Sequence, residues 1–198
     1  MLPYSAACER NKEPILEVLR THFADRAQVL EIGSGTGQHA VHFARALPHL
    51  AWHPTEQLSY LGDLTARVKS EGTQNLRAPA QLDVRQRVWP VRSADAVFTA
   101  NTLHIMSWPE VSDLFRGVGG VLAPGGVFCV YGPFRYGGRY TSESNKEFDR
   151  MLKERDPDSG LREIEAIATL ALQHGMRLNA DHDLPANNRL VVFTKEPG

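Results

Sequence analysis

Apolar residues in this chain alternate between two kinds of run. Some are short and continuous, and others recur at every third or fourth position. The continuous runs are Gln28–Ile32, Ala51–Glu56, Leu82–Val84, Ala94–Asn101, Val127–Tyr131, Met176–Leu184 and Arg189–Lys195. Their lengths and their bounding Gly, Pro and Asn residues are those of buried strands. Between them lie helical spacings: Ile15, Leu16, Val18, Leu19 and Phe23, then Gln38–Leu47, Leu58–Val68, Val111–Val121 and Leu161–His174. Strands alternating with helices predict a mostly parallel sheet covered on both faces. The last two strands are joined only by Pro185-Ala186-Asn187-Asn188. A parallel crossover needs a dozen residues or more, so this pair is antiparallel. The pattern therefore predicts an α/β, doubly wound, mostly parallel seven-stranded sheet with a C-terminal antiparallel hairpin.

Local signals refine the picture. Asn11 is a candidate cap for the first helix, with Pro14 in its first turn, where a missing N–H does no harm. Pro54 predicts that pairing stops there, because proline cannot donate to a ladder. Pro124-Gly125-Gly126 reads as a helix stop and a sharp turn, and Gly175 as the cap of the last long helix. Residues 1–13 are polar and without clear period. Residues 132–160 exceed a minimal fold; Phe134-Arg135-Tyr136-Gly137-Gly138-Arg139-Tyr140 mixes basic and aromatic residues, and a short helix carrying Phe148, Met151 and Leu152 follows. We read this segment as a candidate substrate lid that stacks on a planar ligand or pairs with an anion, with a surface loop as the plain alternative. Tyr4, Arg10 and Asn11 are candidate flap residues.

Composition narrows the function classes. At 198 residues, with 42% hydrophobic and 23% charged, one domain spanning 1–198 with a full core is expected. A formal net charge of −1 gives no strong nucleic-acid signal. Cys8 and Cys129 are too few for a disulfide framework or a zinc site, and are expected as free thiols in a reducing compartment. The chain shows no basic leader before an apolar run and no apolar stretch long enough for a membrane span. The expected location is cytoplasmic.

The densest chemistry lies at Val29-Leu30-Glu31-Ile32-Gly33-Ser34-Gly35-Thr36-Gly37. A strand running through glycines into a helix N-terminus lets the backbone approach a ligand and presents unpaired N–H groups to an anion. A dinucleotide fingerprint needs Gly-x-Gly-x-x-Gly, and Gln38 stands at its last position. Glu56 ends the second run, 23 positions beyond Gly33, where a carboxylate can accept from both hydroxyls of a ribose. It equally serves as a charge at the following helix start. Asn101 and His104 follow the fourth run, in the layer beyond the strand ends where ligands of parallel sheets bind. His104 is a candidate base, or merely shapes the pocket. His39 and His42 read as an exposed helix face. Asp181-His182-Asp183 is rejected as a metal site, since alternate strand residues face opposite sides.

Glu31-x-Gly33-x-Gly35-x-Gly37, the Pro-Gly-Gly turn and the terminal hairpin together resemble class I S-adenosylmethionine-dependent methyltransferases, over about Val29 to Lys195. The resemblance implies the Rossmann-like methyltransferase fold and S-adenosylmethionine as cofactor. It also implies that Glu31 supports the glycine loop, that Gly33, Ser34, Gly35 and Gly37 pass over the methionyl part, and that Asp83 and Val84 take the adenine. Asn101 would lie near the methyl group. Ala7-Cys8-Glu9-Arg10-Asn11-Lys12-Glu13-Pro14-Ile15-Leu16 and Leu184-Pro185-Ala186-Asn187-Asn188 further resemble the methyltransferase-like domain-of-unknown-function branch that includes methyltransferase-like protein twenty-six, which carries no substrate. The sequence lacks Asn-Pro-Pro-Tyr after the fourth run, a mark of many amino-group methyltransferases of DNA and protein. The expected activity is methyl transfer to an unidentified small molecule. The alternatives are a non-catalytic binding module acting through a protein partner and, disfavoured by Gln38 and the hairpin, a nicotinamide-dependent oxidoreductase.

Overall fold

The structure, a computed structural model, describes residues 2–197. Strands β1 (Gln28–Ile32), β2 (Ala51–Glu56), β3 (Ala80–Gln81), β4 (Ala94–Ala100) and β5 (Leu122–Gly132) alternate with helices α1 (Ala6–His22), α2 (Gln38–Ala46), α3 (Leu61–Glu71) and α4 (Trp108–Val121). After β5 come β6 (Phe134–Tyr136), β7 (Arg139–Tyr140), α5 (Glu143–Arg155), β8 (Arg162–Glu163), α6 (Ile164–Gln173), β9 (Met176–Leu184) and β10 (Asn188–Lys195). Seven strands form one sheet in the order β3-β2-β1-β4-β5-β10-β9. The first five run parallel, and β10 is antiparallel to both β5 and β9. This is the expected doubly wound α/β architecture, ending in the expected hairpin. A small second sheet, β7-β6-β8, stands beside it.

Strand alternation divides the core into two layers. Val29, Phe98, Cys129 and Val192 face Ile15 and Leu19 of α1 and Val41 and Phe43 of α2. Leu30, Val97, Phe128 and Phe193 face Phe115 of α4 and Ile167 of α6. Neighbouring residues on every central strand are thus buried on opposite sides, which is why these runs are apolar throughout rather than alternating.

Pro54 does not end pairing. It is buried in mid-strand and registers with Glu31. Trp52 N–H bonds Asn75 O, and Leu82 N–H bonds Glu56 O, so even-numbered residues of β2 turn their polar groups toward the β3 side. There the ladder is broken between the Trp52–Leu76 bridge and the Thr55–Ala80 pair. The missing N–H falls in that gap and costs no bond.

Helix starts differ from expectation because their caps lie outside the apolar period. Ser5, not Asn11, caps α1, accepting from Cys8 N–H at 3.3 Å, and Pro14 lies inside the helix. Helix α4 begins at Trp108 through a capping box between Ser107 and Glu110, which hold each other's backbone N–H groups. Helix α5 starts behind Ser142, and α3 begins three residues later than the spacing suggested. The last long helix keeps only Ile164–Gln173, because Arg162 and Glu163 pair with β6 instead. Among the described residues, no helix is long and apolar enough to cross a membrane.

Candidate functional site

The glycine loop is a compact turn set against its neighbours. Gly33 (φ +70°) sits so close to the segment after β4 that a Cβ there would lie 2.7 Å from Thr102 Cγ2. Gly37 (φ +76°) is the non-helical residue before α2; both conformations disfavour residues with a Cβ. The Thr99 hydroxyl reaches Ile32 O (2.8 Å) and the Thr102 hydroxyl (2.7 Å), tying the loops after β1 and β4 together. Asn101 turns the chain at φ +57°, a left-handed conformation that asparagine tolerates better than most side chains.

Around these strand ends lies a cavity of about 1480 Å³. Gly33, Ser34, Gly35, Glu56, Val84, Asn101 and His104 line it. Gly37 and Asp83, expected there, do not line it, and neither does Glu31, which was expected to support the loop. Glu31 is only 2% exposed and lies behind the loop, accepting from Trp52 Nε1 at 2.7 Å. Gly37 faces Leu64 and Arg67. Asp83 sits between the lining residues Leu82 and Val84 with its carboxylate paired to Arg85. Glu56 Oε2 accepts from Gly35 N–H at 2.7 Å and Oε1 from Gln57 N–H at 2.8 Å. Ionised carboxylates offer about four acceptor positions, so this one braces the loop and keeps lone pairs for a ligand.

Electrostatics set the protonation states. Burial, opposed by hydrogen bonding from Trp52 and Ser34, pushes the Glu31 carboxyl up to about 7. His104 is 6% exposed, and its ring nitrogens make no hydrogen bond among the described residues. Burial first, and then the charges of Arg162 and Arg155, lower it to about 4. Its imidazole is therefore neutral near pH 7. The ring meets Phe148 of α5 edge-on, with centroids 5.2 Å apart. Arg162 holds the same loop through the carbonyls of Leu103 (3.1 Å) and Met106, and Gly160 N–H bonds His104 O.

His39 corrects the sequence expectation of an exposed face. It is 5% exposed, lines the cavity, and shares a 2.7 Å bond with Asn11 Oδ1. Since an amide oxygen only accepts, Nε2 carries the proton. Burial lowers this histidine to about 4. It stacks on Phe43, within an aromatic cluster with Phe98 and Trp52 behind the loop.

The flap expectation takes a definite form. Arg10 and Asn11 belong to α1 and line the cavity, whereas Tyr4 is 70% exposed. Gln38, at the position of the missing third glycine, clasps the start of α1. Its Oε1 accepts from Ser5 N–H at 2.6 Å, and its Nε2 donates to Glu9 Oε1 at 2.7 Å and Ser5 O at 3.3 Å. Arg67 adds bonds to Thr36 O and Pro3 O. Each such bond is worth about 1 kcal/mol net. A Gln38→Ala protein is expected to exchange its amides over residues 5–9 at least ~10-fold faster by native-state hydrogen exchange. Unchanged protection there would show that Gln38 does not hold the segment.

The basic–aromatic stretch is spent on internal contacts rather than on the cavity. Arg135 pairs with Glu163 and lies over the Tyr140 ring. The Tyr136 hydroxyl donates to Asp181 (2.8 Å), and the Tyr140 hydroxyl to Asp149 (2.6 Å). From residues 132–160 it is Pro133, Ser144, Asn145, Phe148 and Asp156 that reach the cavity. Sequence reading also missed Cys8, Tyr60, Tyr131 and Asn188 as lining residues; Cys8 and Asn188 lie in the two segments that carry the branch resemblance, but nothing in those segments signals contact with a cavity. Asp181 and His182 are occupied by Arg189 and by His22, at 2.8 and 2.9 Å.

Fold and site thus define a Rossmann-like methyltransferase architecture with a large cavity at the ends of its parallel strands, and solved structures share it. An O-methyltransferase family protein from Burkholderia thailandensis matches with a TM-score of 0.83 at 16% identity, over 97% of this chain and 58% of that one. Mitomycin 7-O-methyltransferase gives 0.82 at 17%, over 96% and 55%. Human N-acetylserotonin methyltransferase, solved in complex with S-adenosylmethionine, gives 0.80 at 15%, over 96% and 53%. The chain spans little more than half the length of these structures. Residues 2–195 match the family described as "Protein of unknown function (DUF938)", and the chain belongs to that family.

Proposed function

We propose that this chain is an S-adenosylmethionine-dependent methyltransferase that acts on a small-molecule acceptor. The observation that carries this is the cavity itself. It lies beyond the carboxyl ends of the parallel strands, and at about 1480 Å³ it exceeds the roughly 300–1,000 Å³ that one ligand needs. A cofactor and an acceptor fit together. The solved structures named above support the same reading, as do the glycine loop and Glu56. The resemblance in the first and last segments supports placement in the branch that includes methyltransferase-like protein twenty-six.

The residues fit the cofactor as follows. Glu56 keeps lone pairs free for two ribose hydroxyls while it braces Gly35. Leu82 and Val84 offer an apolar slot for the adenine. The Val84 backbone can contact the ring without rearrangement, whereas Asp83 takes the amino group only by giving up Arg85. Gly33, Ser34 and Gly35 border the methionyl end, with Glu31 and Gly37 shaping the loop from behind.

When bound, the sulfonium supplies an electrophilic methyl with a good leaving group. The chain's task is then to align the acceptor and exclude water, and orientation of this kind supplies up to ~7–11 kcal/mol. Asn101 and His104 stand where an acceptor atom would be held. Neutral His104 can receive a hydrogen bond from that atom and take its proton as the carbon–sulfur electron pair returns to sulfur. Phe148, against the His104 ring, closes the chamber from α5, which we assign as the working part of the 132–160 lid. A nicotinamide ligand is disfavoured because the Gln38 side chain is committed to α1.

Calorimetry with S-adenosylmethionine and S-adenosylhomocysteine, on protein verified free of either, tests the proposal. Micromolar binding of both is expected. An empty protein that binds neither would overturn it and favour the partner-binding alternative.

A further inference from the structure

The glycine loop is poor in donors for an anion, because its backbone is engaged with its own neighbours. Ser34 N–H bonds Thr55 O at 2.9 Å, Gly35 N–H bonds Glu56 at 2.7 Å, and Gly37 N–H bonds Ser34 O at 2.8 Å. Glu31 behind the loop and Glu56 beside it are acids. The methionyl end of the proposed cofactor carries a carboxylate, and a charge drawn out of water needs a partner. These three amides are closed to it.

Arg10 is the one Lys or Arg among the residues that line the cavity. Among the described residues it makes no ion pair and no side-chain hydrogen bond. With Ala7 and Pro14, at helical spacing on α1, it forms part of the wall. Its place along α1 ties it to the loop. Glu9, on one side, accepts from Gln38 Nε2 at 2.7 Å, and Asn11, on the other, shares a 2.7 Å bond with His39 Nε2. Gln38 and His39 are the first two residues of α2, directly behind Gly37. Ser5 N–H also closes on Gln38, at 2.6 Å, and Arg67 joins Pro3 O to Thr36 O of the loop itself. Bonds from the residues before and after Arg10 therefore hold its backbone against the segment that leaves the glycine loop. A guanidinium there presents a planar fork that matches a carboxylate with two N–H bonds.

We propose that Arg10 holds the methionyl carboxylate of S-adenosylmethionine, so that α1, and not the glycine loop alone, grips the amino-acid end of the cofactor. The proposal rests on the methyltransferase reading and adds a binding residue from outside the glycine motif. It also gives the Gln38 clasp a purpose. The side chain that stands in place of a third glycine fastens the segment from which the cation is presented.

The test compares S-adenosylhomocysteine with methylthioadenosine, which keeps the adenine, ribose and sulfur but lacks the amino-acid end. Each is titrated calorimetrically into the full-length parent and Arg10→Gln proteins, and both proteins are melted. In Arg10→Gln, S-adenosylhomocysteine is expected to bind about tenfold or more weakly, as loss of a charge-assisted hydrogen bond predicts. Methylthioadenosine affinity and melting temperature should not change. Equal binding of S-adenosylhomocysteine by the two proteins would overturn the proposal and release Arg10 from the cofactor. An equal loss for both ligands would overturn it too, because Arg10 would then act through the packing of α1 and not through the carboxylate. A parent that binds neither ligand would fail the methyltransferase reading itself, and the proposal would fall with it.

Discussion

A Glu56→Ala protein is expected to bind S-adenosylmethionine about 100-fold more weakly than the parent. Hydrogen bonds to a charged acceptor contribute about 1.5–3 kcal/mol, and tenfold in affinity corresponds to about 1.4 kcal/mol. On the proposed function Glu56 offers one carboxylate to two ribose hydroxyls, and it also receives Gly35 N–H at 2.7 Å. Alanine therefore removes ligand contacts and the brace of the glycine loop together. Glu56→Gln separates these effects. Its amide oxygen can still accept from Gly35, so the loop should hold while ribose binding weakens by about tenfold. Calorimetric titration of the three proteins measures both steps. Equal affinities would remove Glu56 from the ribose and leave it as a purely structural cap.

The second large effect is on stability against pH. Glu31 is almost fully buried, and its carboxyl titrates near 7 instead of the usual 4.5. Folded protein therefore holds this proton more tightly than the unfolded chain does. Below pH 4.5 both states are protonated and the Glu31 contribution is complete. Between 4.5 and 7 the unfolded chain has lost its proton and the folded one has not, so stability falls as pH rises. The loss attributable to this one group is about 3 kcal/mol. Glu31→Gln keeps an oxygen for Trp52 Nε1 and cannot ionise. Urea denaturation of parent and variant from pH 4.5 to 7.5 should show the parent declining relative to the variant across that window. Parallel stability curves would mean that Glu31 is charged in the folded protein.

Most strand positions were legible because burial on both faces leaves a continuous apolar run with turn residues at its ends; the third strand, expected at Leu82–Val84, is instead the short edge strand Ala80–Gln81. Gln28–Ile32 and Ala51–Glu56 have the expected limits. Helix starts were less legible. Ser5, Ser107 and Ser142 act through backbone N–H groups three residues on, and nothing in the apolar period marks them. Pro54 was misread because a proline's fitness depends on which side of the strand lacks a partner, and that is a property of β3. The basic–aromatic stretch invited a ligand, yet the fold supplied Glu163, Asp149 and Asp181 as its partners.

The same division runs through the candidate site. Gly33, Gly35, Glu56, Asn101 and His104 could be placed from the sequence alone, since each follows a strand whose carboxyl end must lie in the ligand layer. Position along one strand determines that layer, and the apolar pattern determines the strand. The rest of the chamber was settled only by docking of distant segments. Asn11 meets His39, Gln38 meets Ser5, and Asn145 reaches Asn187 O across the mouth. Arg10, Tyr131, Phe148 and Asn188 come from α1, β5, α5 and β10, elements far apart along the chain. Side-chain periodicity reports which face of an element is buried, but not which element will cover it. For that reason the sequence determined the sheet and the strand ends that line the cavity, and the tertiary structure alone decided the cavity's other walls.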